Sequence, residues 1–314
     1  MSDGEQLRTR WSELPPEIHR EVARLLGGDI VEAVSQSTGF SPGSADRVRT
    51  EAGCRAFVKA VSRHRNPDSV GMHRRELTVM RALPATVRAP RLLGSFDNGD
   101  WVALVLEDIP GRHPGSAADD SDALAVLAAV AALPLARGGD MPTLPEASDE
   151  LADDFAGLSK LQAEGATNDL PSWVRQNFDA LEASASHGSS AVRGDYLVHL
   201  DCRADNVLID DSGNAWIVDW PWAAVGAHWL DGLTYLLDAR LRGERVDAEV
   251  ILREHPLFAG VPRADIDAVL AGLMGLFFER GRLPAPPSMP TLRRFQVDQA
   301  LAAMAWLQER WGTA

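Results

Sequence analysis

The sequence predicts an α+β protein of two lobes, a small N-terminal lobe built on an antiparallel sheet and a larger helical C-terminal lobe. Three observations carry that expectation. Short β-prone runs broken by turn residues crowd the stretch 30–107, Ala- and Leu-rich helical patterns take over after Pro110-Gly111, and one pair of short apolar runs interrupts those helices near residue 210. The 314 residues, 45% of them hydrophobic, suffice for two modest cores.

The first element reads as a packing helix. Ser12 is placed to cap it, Pro15 and Pro16 suit its first turn, and Ile18, Val22, Leu25 and Leu26 recur on one face before Gly27-Gly28 stops it. Strands are expected over 30–37, 45–52 and 54–61, separated by the segment 38–44 and a turn at Gly53. A helix over 68–83 follows, with Val70, Leu77, Val79, Met80 and Leu83 as its apolar positions. Strands over 91–96 and 101–107 then flank Asp97-Asn98-Gly99-Asp100, where Asn-Gly favours a hairpin turn. Helices are expected over 121–133, 148–164, 172–184, 229–242, 247–254, 263–280 and 291–311, with Pro284-Ala285-Pro286-Pro287 as a rigid linker. The boundary falls within 107–115, which divides the chain into 1–108, the sheet-based lobe with its leading helix, and 109–314, the helical lobe.

Composition removes several classes of function. A net charge of -14 with no basic stripe argues against nucleic acid, because nothing would replace the phosphate counterions. Cys54 and Cys202 show neither a disulfide framework nor zinc spacing. Residues 1–10 lack the apolar core of a signal peptide, and no apolar run is long enough to span a bilayer. A cytoplasmic protein with no membrane attachment and no evident obligate protein partner is expected.

The chemistry concentrates in His199-Leu200-Asp201-Cys202-Arg203-Ala204-Asp205-Asn206, followed by the apolar Val207-Leu208-Ile209, a polar turn over 210–214, and a second apolar run closing on Val218-Asp219-Trp220. Any one Asp or Asn is more often a turn former than a ligand, and 210–214 is read that way. Order and spacing change the reading of the rest. Two short strands joined by a tight turn would hold Asn206 beside Asp219, with Asp201 on the loop upstream. Phosphoryl transfer needs that set: a carboxylate that reaches a substrate hydroxyl, beside an amide and a carboxylate able to hold Mg2+.

Together with Gly226-Ala227-His228-Trp229-Leu230-Asp231, these residues resemble the aminoglycoside phosphotransferase and choline kinase superfamily, whose fold is protein-kinase-like. The likeness runs from about residue 30 to the C-terminal helices and is strongest from His199 to Asp231. It implies that Asp201 orients the acceptor hydroxyl and takes its proton, and that Asn206 and Asp219 hold Mg2+. His199 would brace the catalytic loop, and Asp231 would secure it from behind.

Lys59, within Ala56-Phe57-Val58-Lys59-Ala60-Val61, has two readings. Alternation alone allows an edge-strand lysine facing water. The resemblance implies instead a contact to nucleotide phosphates, with Glu76 of the next helix holding the ammonium. Segment 37–44 takes the place of the phosphate-covering loop but lacks G-x-G-x-x-G. Ser41 and Ser44 are its candidate phosphate donors, and an ordinary β-turn is the competing reading.

The run from Leu104 to Gly111 would connect the lobes, with the base pairing to backbone near Glu107 and Ile109. ATP is the expected donor, with GTP left open. Arg203 either neutralises the transferring phosphoryl group or pairs with Asp205. Pro221, where protein kinases have Gly, points away from a regulated protein kinase.

The activity implied is that of a small-molecule kinase acting on a hydroxyl of a polar, cationic acceptor such as an aminoglycoside-like antibiotic. A sugar, amino alcohol or other primary metabolite is the alternative acceptor. A catalytically silent nucleotide-binding protein is the competing class, against which Asp201 stands, because binding alone needs no base.

Overall fold

The computed structural model describes residues 8–36, 43–65, 67–117, 119–137, 141–286 and 289–312. By contact the chain divides into two compact units. One comprises Met1–His113, Asp140–Pro142 and Asp205–Ala223, the other Pro114–Gly139, Thr143–Ala204 and Ala224–Ala314.

In the first unit, helix α1 (Pro16–Leu26) precedes strands β1 (Ile30–Ser35), β2 (Ser44–Thr50) and β3 (Arg55–Ser62), helix α2 (Pro67–Ala82), and strands β4 (Leu92–Asp97) and β5 (Trp101–Glu107). The five strands form one antiparallel sheet in the order β1-β2-β3-β5-β4. Ser12 does not cap α1. It lies in a 3-10 turn, Trp11–Glu13, and Pro15 takes the cap position, so the chain enters the helix through proline geometry rather than a side-chain bond. Gly27 ends the helix at φ 72, a left-handed conformation that glycine adopts without strain.

Leu14, Ile18 and Val22 pack on Val48, Ala56, Val58, Ala60, Ala103 and Val105 to make this unit's core. Each such fully buried aliphatic side chain contributes roughly 1.5–3 kcal/mol before entropy is charged against it. The two-residue period of β3 settles where its lysine points. Ala56, Val58 and Ala60 face the core, which leaves Phe57 and Lys59 on the opposite face.

The second unit begins with α3 (Ser121–Ala131). The single helix expected over 148–164 is three short ones, α4 (Ala147–Glu150), α5 (Ala152–Phe155) and α6 (Gly157–Ala163). The next expected helix divides at Asn177 into α7 (Ser172–Gln176) and α8 (Phe178–Ala191). Along the chain follow β6 (Tyr196–Val198), β7 (Val207–Ile209) and β8 (Ala215–Ile217), the latter two outside this unit, and then, again within it, β9 (Ala224–Gly226), α9 (Leu230–Leu241), α10 (Ala248–Glu254), α11 (Arg263–Gly281) and α12 (Leu292–Gly312). β6 and β9 pair antiparallel and escaped the sequence reading, since three residues carry too little pattern to register.

Helix α11 is buried on all sides from Ile266 to Leu276 and packs on α6, α8 and α12. Gly157 of α6 lets the two backbones meet there. A Cβ at that position would lie 2.4 Å from the Gly275 carbonyl carbon.

The β7–β8 hairpin belongs by contact to the first unit, although the sequence reading places it within 109–314. Hydrogen bonds explain this. Ile217 N–H donates to the Arg88 carbonyl at 2.9 Å, Ile209 N–H donates to the Arg112 carbonyl at 2.7 Å, and the Ile209 carbonyl accepts from Arg112 N–H at 3.1 Å.

Candidate active site

A cleft in the first unit is lined by side chains from β2, β3, α2, the end of β5 and the β7–β8 hairpin. The empty space it borders, open solvent included, is about 1190 Å³. Lys59 projects into it. Its Nζ lies 2.8 and 3.0 Å from the two Glu76 carboxylate oxygens and 2.7 Å from Asp219 Oδ1.

The three exposures differ in an informative way: 14% for the Lys59 side chain, 2% for Glu76 and 42% for Asp219. Glu76 is therefore a buried anchor, whereas Asp219 keeps a surface a ligand can reach. Burial alone would lower the Lys59 pKa, but the attraction of Asp219 and Glu76 outweighs it, and the group is held above its ordinary value as a cation. Burial raises the Glu76 carboxyl, with Lys59 opposing. His73, on the same face of α2 one turn before Glu76, is pushed down to about 4 by burial and then by the Lys59 charge, so it is neutral near pH 7.

The hairpin brings Asn206 to the same cleft as Asp219. Val218 N–H donates to the Asn206 carbonyl at 2.9 Å, which ties the two ends of the hairpin together. Asp219 has φ 69, and Leu200 has φ 63; among the described residues they are the two non-glycine positions with left-handed backbone. Such conformations cost of order 1 kcal/mol or more and cluster at functional positions.

Among the described residues no group of three or more His, Cys, Asp or Glu side chains is arranged to hold a metal. The donor set fits Mg2+ nonetheless. That ion keeps several waters and uses one or two protein oxygens beside substrate phosphates, and Asn206 and Asp219 supply such oxygens.

Ala45, Phe57, Leu106 and Leu208 also line the cleft and give it apolar walls suited to a flat ring. Glu107 N–H is taken by the Arg91 carbonyl at 2.8 Å, and the Glu107 carboxylate pairs with Arg91. Ile109 presents a backbone N–H that no described residue engages, while its carbonyl accepts from Arg47 Nη2 at 3.2 Å. Asp108, its side chain 2% exposed, pairs with Arg55 at 2.9 Å and Arg47 at 3.3 Å and stiffens this edge.

In the second unit, the loop leaving β6 is pinned by α9. Asp231, fully buried in the first turn of that helix, accepts from His199 N–H at 2.6 Å and Leu200 N–H at 2.9 Å. Burial pushes its pKa up to about 6, with the two N–H donors opposing. Asp238, seven residues later and so on the same face of α9, accepts from Ala204 N–H at 2.9 Å. Both ends of the loop are held by one helix.

His199 is fully buried, and its Nδ1 accepts from Asp201 N–H at 3.3 Å. Arg203 Nε lies 3.4 Å from Asp201 Oδ1, and the Arg203 guanidinium sits 5.5 Å over the Phe295 ring of α12.

Of the positions singled out from sequence, Lys59, Glu76, Ser44, Glu107, Ile109, Asn206 and Asp219 line the one cleft. Asp201, Arg203, His199 and Asp231 fall in the second unit. Ser41 lies outside the described residues. Sequence reasoning missed Arg8, Arg47, His73 and Asp238. The signal for His73 was its three-residue spacing from Glu76, and for Asp238 its seven-residue spacing from Asp231.

A model of the phosphotransferase enzyme family matches residues 39–262. No curated protein matches the chain in sequence. Among solved structures, a spectinomycin phosphotransferase superposes with TM-score 0.60 at 11% identity, covering 92% of this chain and 97% of that one. Choline kinase from Streptococcus pneumoniae gives 0.58 at 12% identity, covering 92% and 98%. An aminoglycoside phosphotransferase from Alicyclobacillus acidocaldarius gives 0.55 at 15% identity, covering 96% and 97%. At these identities the likeness is one of fold.

Proposed function

The chain belongs to the phosphotransferase enzyme family, and from that premise we propose that it moves the γ-phosphoryl group of ATP to a hydroxyl of a polar, cationic small molecule. The observation that carries this reading is the Lys59 ammonium, held charged between a buried Glu76 and a reachable Asp219 in the cleft. A buried cation needs an anionic partner, which Glu76 supplies, and the more exposed Asp219 leaves the outer side of the ammonium open to a ligand.

In this reading Lys59 meets the donor phosphates, and the Ile109 N–H meets the base. Asn206 and Asp219 are the proposed holders of Mg2+, which when bound would neutralise charge on the phosphate oxygens. Asp201 accepts a hydrogen bond from the acceptor hydroxyl and takes its proton. The hydroxyl oxygen bonds to the γ-phosphorus as the bond to the bridging oxygen breaks, and ADP leaves. Arg203, paired with Asp201, is proposed to meet the charge of the phosphoryl group in flight. The Asp231 and Asp238 contacts keep that loop rigid, which matters more for a base than its pKa does.

Two facts support a cationic acceptor. The chain carries a net charge of -14, and the fold neighbours include enzymes named for spectinomycin and choline. A neutral sugar or an amino alcohol is the runner-up. The proposed compartment is the cytoplasm, where ATP is supplied.

The test is a panel of hydroxylated acceptors, aminoglycosides and choline among them, incubated with Mg2+ and ATP and read by mass gain of one phosphoryl group. Asp201→Ala is expected to lower the rate by about 10²–10⁴-fold while leaving nucleotide affinity unchanged. Equal rates in wild type and variant remove Asp201 from its role. Tight ATP binding with no acceptor turned over would favour the silent nucleotide-binding protein.

A further inference from the structure

Besides Lys59 and Arg47, the first unit holds a third cation at the cleft. Arg8 lines it together with Lys59, Ser44, Asn206 and Asp219. Its position is built rather than incidental. The neighbouring Thr9 is buried and its hydroxyl accepts from Arg65 Nη1 at 3.0 Å. Trp11 N–H donates to Ser35 Oγ at 3.2 Å, and the Trp11 carbonyl lies 2.9 Å from His19 Nε2. The backbone that carries Arg8 is thus fastened to β1, to α1 and to the segment after β3.

The Arg8 Nε is buried here without a hydrogen-bond partner. Buried orphan donors are rare and ask for an explanation. The electrostatics narrow it. Burial lowers the Arg8 pKa, and the Asp219 and Asp46 carboxylates pull it back without cancelling the loss. Asp46 has a partner already in the Ser35 hydroxyl, so it does not account for the guanidinium alone. What remains is a guanidinium donor on the same cleft as the Lys59 ammonium. That set matches an oxygen-rich anion.

We propose that Arg8 binds the phosphate oxygens of the donor nucleotide, so that Arg8, preceding α1, is part of the triphosphate site. The assignment rests on the kinase reading above. Arg8 acts by binding charge and takes no proton in the reaction. The competing role is purely structural: Arg8 would neutralise Asp46 and hold the sheet edge, with no preference for phosphate.

Calorimetric titration with ATP, ADP and adenosine in Mg2+ separates the two roles. Arg8→Met is expected to weaken ATP binding by about 10- to 100-fold, the loss of one charge-assisted contact, with adenosine affinity unchanged. Arg8→Lys, which keeps the charge, is expected to fall between and to fold even if the methionine variant does not. The KM for ATP should rise with the same factor, and the KM for acceptor should stay. Unchanged ATP and ADP affinity in both variants overturns the proposal, as does an equal loss for adenosine, which would mark a collapsed cleft. Wild-type protein that binds adenosine and ADP with equal affinity overturns it as well, since no phosphate is then being read. Wild-type protein that binds none of the three overturns the donor-site reading itself, and this assignment with it.

Discussion

Replacing Asp231 with asparagine tests how the loop before Asp201 is held. In the wild type, the two carboxylate oxygens serve two donors, His199 N–H and Leu200 N–H, from a fully buried position. The carboxyl rises from an ordinary 3.8 to about 6, chiefly through burial. At 1.36 kcal/mol per pH unit, the rise is worth about 3 kcal/mol.

The sign follows from linkage. The folded protein binds this proton more tightly than the unfolded chain does. The stability it confers is therefore complete below the unfolded pKa and is lost as pH rises through about 6. Asparagine does not titrate. It also offers one oxygen where two are needed, which leaves a backbone N–H unsatisfied at a roughly constant cost of about 1–3 kcal/mol.

The assay is denaturant unfolding of both proteins from pH 4 to 8. The variant starts less stable at low pH, and between pH 4 and 7.5 the gap is expected to move in its favour by about 2.4 kcal/mol, the rest having been lost below pH 4. Groups common to both proteins cancel in the difference. Parallel curves across that range would show that Asp231 is not perturbed and would refute the argument.

Two further perturbations bear on the backbone. Asp219 sits at φ 69, so Asp219→Gly should unfold at a higher denaturant concentration than Asp219→Ala, by about 1 kcal/mol, while neither variant transfers phosphate; equal midpoints would deny the strain. Gly157→Ala places a Cβ 2.4 Å from one backbone atom of α11 and 2.5 Å from another, so α6 and α11 must part; a cost of about 1–3 kcal/mol and a lower melting temperature are expected, and an unchanged melting temperature would contradict the close approach.

Much of the candidate site was legible because its logic is local. The spacing of Asn206 and Asp219 around a polar turn is a hairpin read directly from a few neighbouring residues. The alternation Ala56, Val58, Ala60 against Phe57 and Lys59 likewise separates a core face from a cleft face within one strand. Other features were hidden for physical reasons. One helix is expected over 148–164, yet three short ones take its place, with Gly157 set against α11, and no propensity reports what lies opposite. Asp238 carries a spacing signal from Asp231, but a helix face says nothing of the loop amide it will meet. Arg8 reads as one more charge in a polar terminus.

By itself the sequence determined the two-part α+β plan, the apolar faces, the hairpin and the order of its catalytic-type residues, since these depend on turn chemistry and on periods of two or about 3.6 residues. Only the tertiary structure decided which charges meet. Lys59 and Asp219 stand 160 positions apart and touch at 2.7 Å, and Arg8 reaches the same cleft from the other end of the chain. Electrostatic partnership depends on distance through space and on burial, and both are set by how the elements pack.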